Sequence, residues 1–428
     1  MGNSKKENNI RIVSSSYLCS ACGACGVVCP KEAISFSTSS VGRLYAEVSN
    51  DCIDCGLCMK VCPSLVNNSS NETKDSYLGN ILKVYTGKSL HHSYYMNGQS
   101  GGICTTLLNY LFDISAIDAA IVCKPTSAQA IIVEDKDDLK YTQGSCYTPV
   151  DLLSALKNIG TKKSVAIVGL PCHLQGLQNL QNIFRKRFEN IHYKIGLICD
   201  RVLCSGIQDV ILALHSKSTD GYIHWRKKNF NGYNYNSAPI VVKYENGSEY
   251  VVPNTFRYAL KDMYTPPRCR VCFDKLNITA DIVLGDPWRM SNVDLVNGEN
   301  LIIARTPLGL ELLEKSVKDN QITITPRSLQ ELIDSQLVEE RKKQVTLYSK
   351  VIKENLPQID SHLLSDDYTI SSCGLDNYNN AENKIKRFVS LETMKQTEVI
   401  KRGKRKLRPL QFREMLKNNV IVRFLKNK

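Results

Sequence analysis

The chain has 428 residues, 43% hydrophobic and 23% charged, the balance of a soluble globular protein with material for two or three domains. Its first ten residues hold no apolar core, position 6 is Lys6, and no stretch approaches the ~20 apolar residues of a spanning helix. A secretory leader, a myristoyl anchor and a transmembrane span are therefore not expected, and the expected address is cytoplasmic.

Residues 1–14 read as a flexible N-terminus. Residues 15–65 carry one cysteine pattern written twice, Cys19-x2-Cys22-x2-Cys25-x3-Cys29-Pro30 and Cys52-x2-Cys55-x2-Cys58-x3-Cys62-Pro63. This is the run that holds two [4Fe–4S] cubes in bacterial-type ferredoxins, where the fourth cysteine of each run serves the other cube. The first cube is expected on Cys19, Cys22, Cys25 and Cys62, and the second on Cys52, Cys55, Cys58 and Cys29. Structural zinc is the rival, but it needs neither a third evenly spaced cysteine nor a proline after each fourth. Cysteines used in this way stay reduced, which also argues against a disulfide scaffold. Short strands are expected at Ala33–Phe36 and Leu44–Val48.

Residues 66–79 are polar and aperiodic and read as a linker. From 80 to 310, apolar runs such as Ala119–Cys123, Ser164–Val168 and Tyr193–Ile198 alternate with helical stretches at Ile103–Phe112 and Leu174–Phe188. A mixed α/β body follows from that alternation. The overall class is α+β: a two-cluster ferredoxin domain, this body, and a helical C-terminal region from 311 to 428.

Four body cysteines stand where chemistry could sit. Cys172 and Cys199 end apolar runs, and Cys269 and Cys272 form a C-x2-C pair after Pro266-Pro267. Spacing alone leaves three readings open: a third cube, zinc, or buried free thiols. Cys104, Cys123, Cys146, Cys204 and Cys373 are read as packing residues. Gln99-Ser100-Gly101-Gly102 runs into an apolar helix, a place where free amides can bind a phosphate, although tight turns use the same residues. Neither a P-loop nor a G-x-G-x-x-G fingerprint supports ATP or nicotinamide binding.

The charge of +13 is concentrated at one end, since Lys401–Lys428 holds eleven Lys or Arg against Glu414 alone. Phe412, Met415, Leu416, Val420 and Phe424 would give a helix there one apolar face, suited to contact with a membrane surface or to packing on the body. No nucleic-acid reading module accompanies it.

The body resembles the coenzyme F420 hydrogenase/dehydrogenase beta-subunit family over about 15–310. The likeness rests on Tyr85-Thr86-Gly87-Lys88, Gln99–Gly102, Gly169-Leu170-Pro171-Cys172, Ile198-Cys199, Trp225-Arg226-Lys227-Lys228, Cys269–Cys272 and Ala280–Trp288, in that order. The resemblance implies an iron–sulfur flavoprotein oxidoreductase with FAD cradled by Ser100, Gly101, Gly102 and Thr105; Lys88 is read, from the residue itself, either as a phosphate contact or as exposed surface charge. It also implies a third cluster on Cys172, Cys199, Cys269 and Cys272. A ferredoxin-like redox partner or partner subunit would exchange electrons with it. The substrate would be F420 or another small molecule, with surface-polysaccharide synthesis among the family's roles; the alternative is an electron-transfer subunit without a substrate of its own. The sequence departs from the family pattern at Asp200–Cys204, where relatives have a small glycine-containing turn. His173 is read either as a proton relay or as a structural donor to a backbone carbonyl. Arg226 is a second candidate for phosphate contact, and Asp281 and Asp286 bracket a strand end.

Overall fold

The computed structural model describes residues 8–66, 76–160, 162, 164–215, 220–230, 232–235, 237–364 and 375–418. Thirteen strands form three sheets among them. In the N-terminal domain β1 (Ile34–Thr38) pairs antiparallel with β2 (Leu44–Val48), from Ile34 opposite Val48 to Thr38 opposite Leu44. The segment before it is not loose from residue 8 onward. A helical turn spans Arg11–Ser15, Ile10 and Val13 are 1% and 0% exposed, and Ser14 Oγ donates to Ala46 O at 2.6 Å. Apolar residues one turn apart dock this stretch on β2, so the expected flexible 1–14 is corrected for residues 8–14.

The body is built on eight strands: β3 (Lys83–Ser89), β4 (Ala119–Lys124), β5 (Gln129–Val133), β6 (Val165–Gly169), β7 (Ile191–Leu197), β11 (Ile282–Gly285), β12 (Asn300–Ala304) and β13 (Ile322–Arg327). Their spatial order is β13-β3-β12-β11-β7-β6-β4-β5. β4, β6, β7 and β11 run parallel, while β12 is antiparallel to both β11 and β3, so β3 shares the direction of the parallel four. Helices such as Ile103–Asp113 and Pro171–Ile183 cover the faces, which is why β4 and β6 read as unbroken apolar runs. The carboxyl ends of five strands thus gather on one edge, where sheets of this kind build their sites. A smaller antiparallel sheet, β8 (Gly221–His224), β9 (Ile240–Tyr244) and β10 (Glu249–Val252), is inserted between β7 and β11.

The body does not stop at 310. β13 adds to β3, from Ile322 opposite Ser89 to Arg327 opposite Val84. Ile-Thr-Ile-Thr alternates as an edge strand should, and its flanking charged helices hide it in sequence. Beyond it come the helices Leu329–Gln336, Val338–Asn355, Leu375–Glu392 and Gln396–Asn418; the second and third wrap back over the N-terminal domain, and the last packs on the body helices Gly206–Leu212 and Thr255–Tyr264. Tyr348, Val351, Ile352, Ala381 and Ile385 share one core with Ile10, Val13, Cys19 and Cys62. In the last helix Val399, Gly403 and Leu407 are buried, while Phe412 is 58% exposed. The side chains of Met415 and Leu416, together with Val420, Phe424, Cys373 and most of the 66–79 linker, lie outside the described residues.

One ion pair ties the C-terminal helices to the N-terminal domain. Arg43 donates to Glu392 Oε2 from Nε (3.1 Å) and Nη2 (3.0 Å), both side chains being under 10% exposed, and Arg43 lies over the rings of Tyr17 and Tyr45. Removing one partner of a buried pair strands the other charge. Glu392→Ala is expected to lower stability by about 3 kcal/mol or more, read from denaturant unfolding of the full chain.

Candidate metal centres and the adjoining cleft

The two N-terminal cysteine runs curl at residues with positive φ, among them Ala21, Gly23, Asp54 and Gly56. At Gly23 (φ +98) a Cβ would stand 2.6 Å from Ser154 N, so glycine is required where the chain turns toward Cys25. The turns aim backbone amides at sulfur: Ala21 N and Ala46 N each lie 3.4 Å from Cys19 Sγ, and Ala33 N lies 3.3 Å from Cys29 Sγ.

Cys19, Cys22, Cys25 and Cys62 are buried together. Burial pushes Cys22 and Cys62 up to about 12, and their mutual repulsion, with Cys19, adds to it. Cys25 is pushed up by burial and by the same three neighbours. Cys29, Cys52, Cys55 and Cys58 instead ring a cavity closed by Gly56 and Lys31. Cys58 is raised to about 11, mainly by burial, and Cys55 is exposed at the rim. Each fourth cysteine therefore stands with the other run's first three.

The four body cysteines meet as well. Cys172 follows β6, Cys199 follows β7, and Cys269 and Cys272 lie on and just after the turn Pro267–Arg270, yet all four line one cavity together with Cys19 and Arg268. Arg341, from the helix Val338–Asn355, donates to Cys272 O (2.8 Å) and Cys269 O (2.7 Å) and so holds the C-x2-C loop. Burial, then repulsion among the four, drives Cys199 far above the ordinary thiol range. Among the described residues no three His, Cys, Asp or Glu side chains converge on a point as a single ion requires. Four sulfurs round one cavity are a donor set that a [4Fe–4S] cluster could use.

His173 beside them has both ring nitrogens in use: Nδ1 accepts from Leu170 N (3.2 Å) and Nε2 donates to Val150 O (3.0 Å). Burial lowers it to about 4, so it is a neutral structural residue at the start of its helix. Cys104 and Cys204 are packed in the interior, and Cys146 Sγ donates to Thr148 O at 3.5 Å.

The Ser100–Gly102 loop lies on the same carboxyl edge, opposite the end of β11. Ser100 Oγ donates to Asp286 Oδ1, and Arg226 Nη1 donates to Asp286 Oδ2 at 2.6 Å. Lys228 Nζ, buried to 4% exposure, donates to Ser100 O and to Asn297 O (2.6 Å) and sits 4.6 Å from the Tyr95 ring centroid. Arg226 lies over Trp288 and Tyr235, which stack on each other. A Cβ at Gly101 would meet Gly87 O at 2.5 Å, and one at Gly102 (φ +77) would meet Tyr94 O at 2.5 Å. Close packing of the chain on itself therefore accounts for both glycines. Thr105 is buried in the first turn of the helix, and Lys88, more exposed, faces Asp294 at 3.9 Å. Asp281 stands at the opposite end of β11, accepting from Lys194 N (2.8 Å) and Thr306 Oγ1 (2.9 Å). A chain of hydrogen bonds links Asp286 to the cysteine cavity: Gln336 Nε2 donates to Asp286 O (2.9 Å), Lys275 Nζ donates to Gln336 O, and Cys199 N donates to Lys275 O (3.0 Å).

The N-terminal and C-terminal models of the coenzyme F420 hydrogenase/dehydrogenase beta subunit match residues 84–157 and 162–329, and a 4Fe-4S dicluster domain matches 18–66. The chain belongs to the coenzyme F420 hydrogenase/dehydrogenase beta-subunit family. It is an iron–sulfur protein of an oxidoreductase family. An uncharacterized protein of Methanocaldococcus jannaschii is 28% identical over 76% of this chain and 94% of its own length. One subunit of the F(420)H(2) dehydrogenase of Methanosarcina mazei is 25% identical over 79% of this chain and 93% of its own. A chain of the F420-reducing [NiFe] hydrogenase complex from Methanosarcina barkeri, solved as a xenon derivative, shares the fold. Its TM-score is 0.50 at 21% identity, covering 65% of this chain and 94% of that one. Among the described residues no helix is long and apolar enough to cross a membrane.

Ser100, Arg226 and Asp286 stand out in the sequence, but their mutual contacts do not, and nothing in the spacing marks Arg341. In this family member, burial opposes the Asp286 charge. The Arg226 charge and hydrogen bonds from Ser100 and Arg226 overcome it and hold the carboxyl below its ordinary range. A lowered carboxyl contributes stability above the unfolded value of about 3.9 and loses it as pH falls through the folded one. Asp286→Asn is thus expected to cost about 3 kcal/mol at neutral pH, read from denaturant unfolding. Its deficit against the parent should narrow below about pH 4.

Proposed function

We propose that this chain relays single electrons through three [4Fe–4S] clusters between a ferredoxin-like partner and an FAD that serves an F420-type substrate. Cys19, Cys22, Cys25 and Cys62 would hold the first cluster, Cys29, Cys52, Cys55 and Cys58 the second, and Cys172, Cys199, Cys269 and Cys272 the third. The observation that carries this reading is the cavity that Cys19 shares with four body cysteines drawn from three separate segments. Buried free thiols have no need to meet in this way. The exposed Cys55 and Ile53 (58% exposed) make the second site the natural point of exchange with a partner. A clear order follows: second site at the surface, first site beneath it, third site in the body, cleft beyond.

FAD, when bound, supplies the exchange between one-electron and hydride chemistry. The residues that would serve it are Arg226 and Lys228 for anionic groups, Trp288 and Tyr235 as an aromatic wall, and the amides at the start of the helix Ile103–Asp113. Lys88, Ser100, Gly101, Gly102 and Thr105 complete the proposed set. The F420 assignment draws on the Methanosarcina mazei relative, whose name is that of an F(420)H(2) dehydrogenase subunit.

A second reading, an electron-transfer subunit with no substrate of its own, is favoured by one observation. The Ser100 hydroxyl is taken by Asp286, and Gly101 and Gly102 are already in contact with the protein's own backbone. Flavin content separates the two. Purified without oxygen, the chain is expected to carry about twelve irons and one FAD. Cys199→Ala is expected to retain about eight irons, with the two N-terminal clusters intact by electron paramagnetic resonance. About twelve irons with no flavin would favour the second reading, and about eight in the parent would remove the third cluster.

A further inference from the structure

We infer that Arg268 is a positioning residue that couples the first and third cluster sites electrostatically, its guanidinium raising the reduction potential of both. The inference rests on the three-cluster reading above.

Arg268 is 2% exposed and lies on the wall of the cavity lined by Cys19, Cys172, Cys199, Cys269 and Cys272. It is anchored toward the N-terminal domain: Nε donates to Ser64 Oγ at 3.0 Å, and Ser64 Oγ donates in turn to Leu18 O at 2.6 Å. Leu18 precedes Cys19 and Ser64 follows Cys62 by two residues, so both ends of that bond belong to segments that bear first-site cysteines. On the other side Arg268 directly precedes Cys269, and its charge acts on Cys272 and Cys172. At Cys62 and Cys172 the same charge favours thiolate, against burial, which is the larger influence.

The other two arginines lining this cavity are ion-paired, whereas Arg341 is held by the carbonyls of Cys269 and Cys272. Arg43 is paired with Glu392 at 3.0 Å, and Arg201 with Asp200 at 2.7 Å. Among the described residues no carboxylate forms an ion pair with Arg268. Guanidinium does not deprotonate in proteins, so this is a fixed positive charge in a buried region between two sites. Adding an electron to a cluster makes it more negative, and a nearby buried cation stabilises that state. Removing the cation therefore lowers the potential of each cluster close to it. The second site, across the N-terminal domain and open to solvent at Cys55, has no such neighbour in Arg268 and should be unmoved.

The test is a redox titration of the full-length, cluster-loaded chain followed by electron paramagnetic resonance, with iron counted on every sample. Arg268→Gln is expected to shift two of three midpoints to lower potential and leave one in place, whereas Arg268→Lys keeps both near the parent values. Three unmoved midpoints in Arg268→Gln with full iron would overturn the inference, as would an equal fall in the lysine variant. If Arg268→Gln loses iron, Ser64→Ala decides. It keeps the charge but frees Nε from the first site, so the first-site midpoint falls and the third holds, and no change there rejects the coupling. A parent with about eight irons rather than twelve would instead refute the third cluster itself, an outcome the iron count separates from a failure of Arg268.

Discussion

Burying sulfur that must be anionic is the constraint on which this structure depends. A thiolate in a low-dielectric interior is costly, and several side by side repel one another. Cys22, Cys25 and Cys62 show both effects, as do Cys172 and Cys199. The protein answers with backbone amides aimed at Cys19 and Cys29 and with buried arginines around the larger cavity. A polynuclear metal group is the remaining compensation, and the chemistry of the donor set calls for it.

That constraint explains why the N-terminal domain is welded to the body rather than tethered to it. Asn179, on the helix after Cys172 and with no exposed surface, donates to Val61 O and Val66 O on either side of Cys62. Leu153 N donates to Cys22 O, and Gly176 lets the Cys22 sulfur approach its helix, where a Cβ would stand 3.3 Å away. From the other side the C-terminal helices close the shell through Arg43–Glu392 and supply Arg341 to the Cys269–Cys272 loop. The region that reads as a charged helical appendage is thus a structural part of the cysteine sites, because only burial on all sides keeps water from them.

The cleft at the ends of β3 and β11 is organised by charge balance. Asp286 gathers Ser100 and Arg226, Lys228 is held to two carbonyls, and burial lowers that lysine to about 8. Lys228 lies on the Tyr95 ring, and Arg226 lies over the stacked Trp288 and Tyr235. The bond chain through Gln336 and Lys275 to Cys199 links this charged group to the cysteine cavity on the carboxyl edge of the sheet.

The local cysteine runs were legible in sequence because their ligands follow one another within a few residues, where spacing alone dictates how the backbone curls. The parallel strands were legible for a similar reason, since burial on both faces leaves unbroken apolar runs such as Ala119–Val122. Spacing could name Cys172, Cys199, Cys269 and Cys272 as candidates, but only the family resemblance joined them, for their meeting depends on β6, β7 and β11 being neighbours and on Pro266-Pro267 returning the chain to that edge. The strand β13, the docking of the C-terminal helices and the placement of Arg268 between two cysteine sites were decided only in three dimensions. Each depends on which distant residues share a buried space, and neither periodicity nor spacing along a chain encodes that.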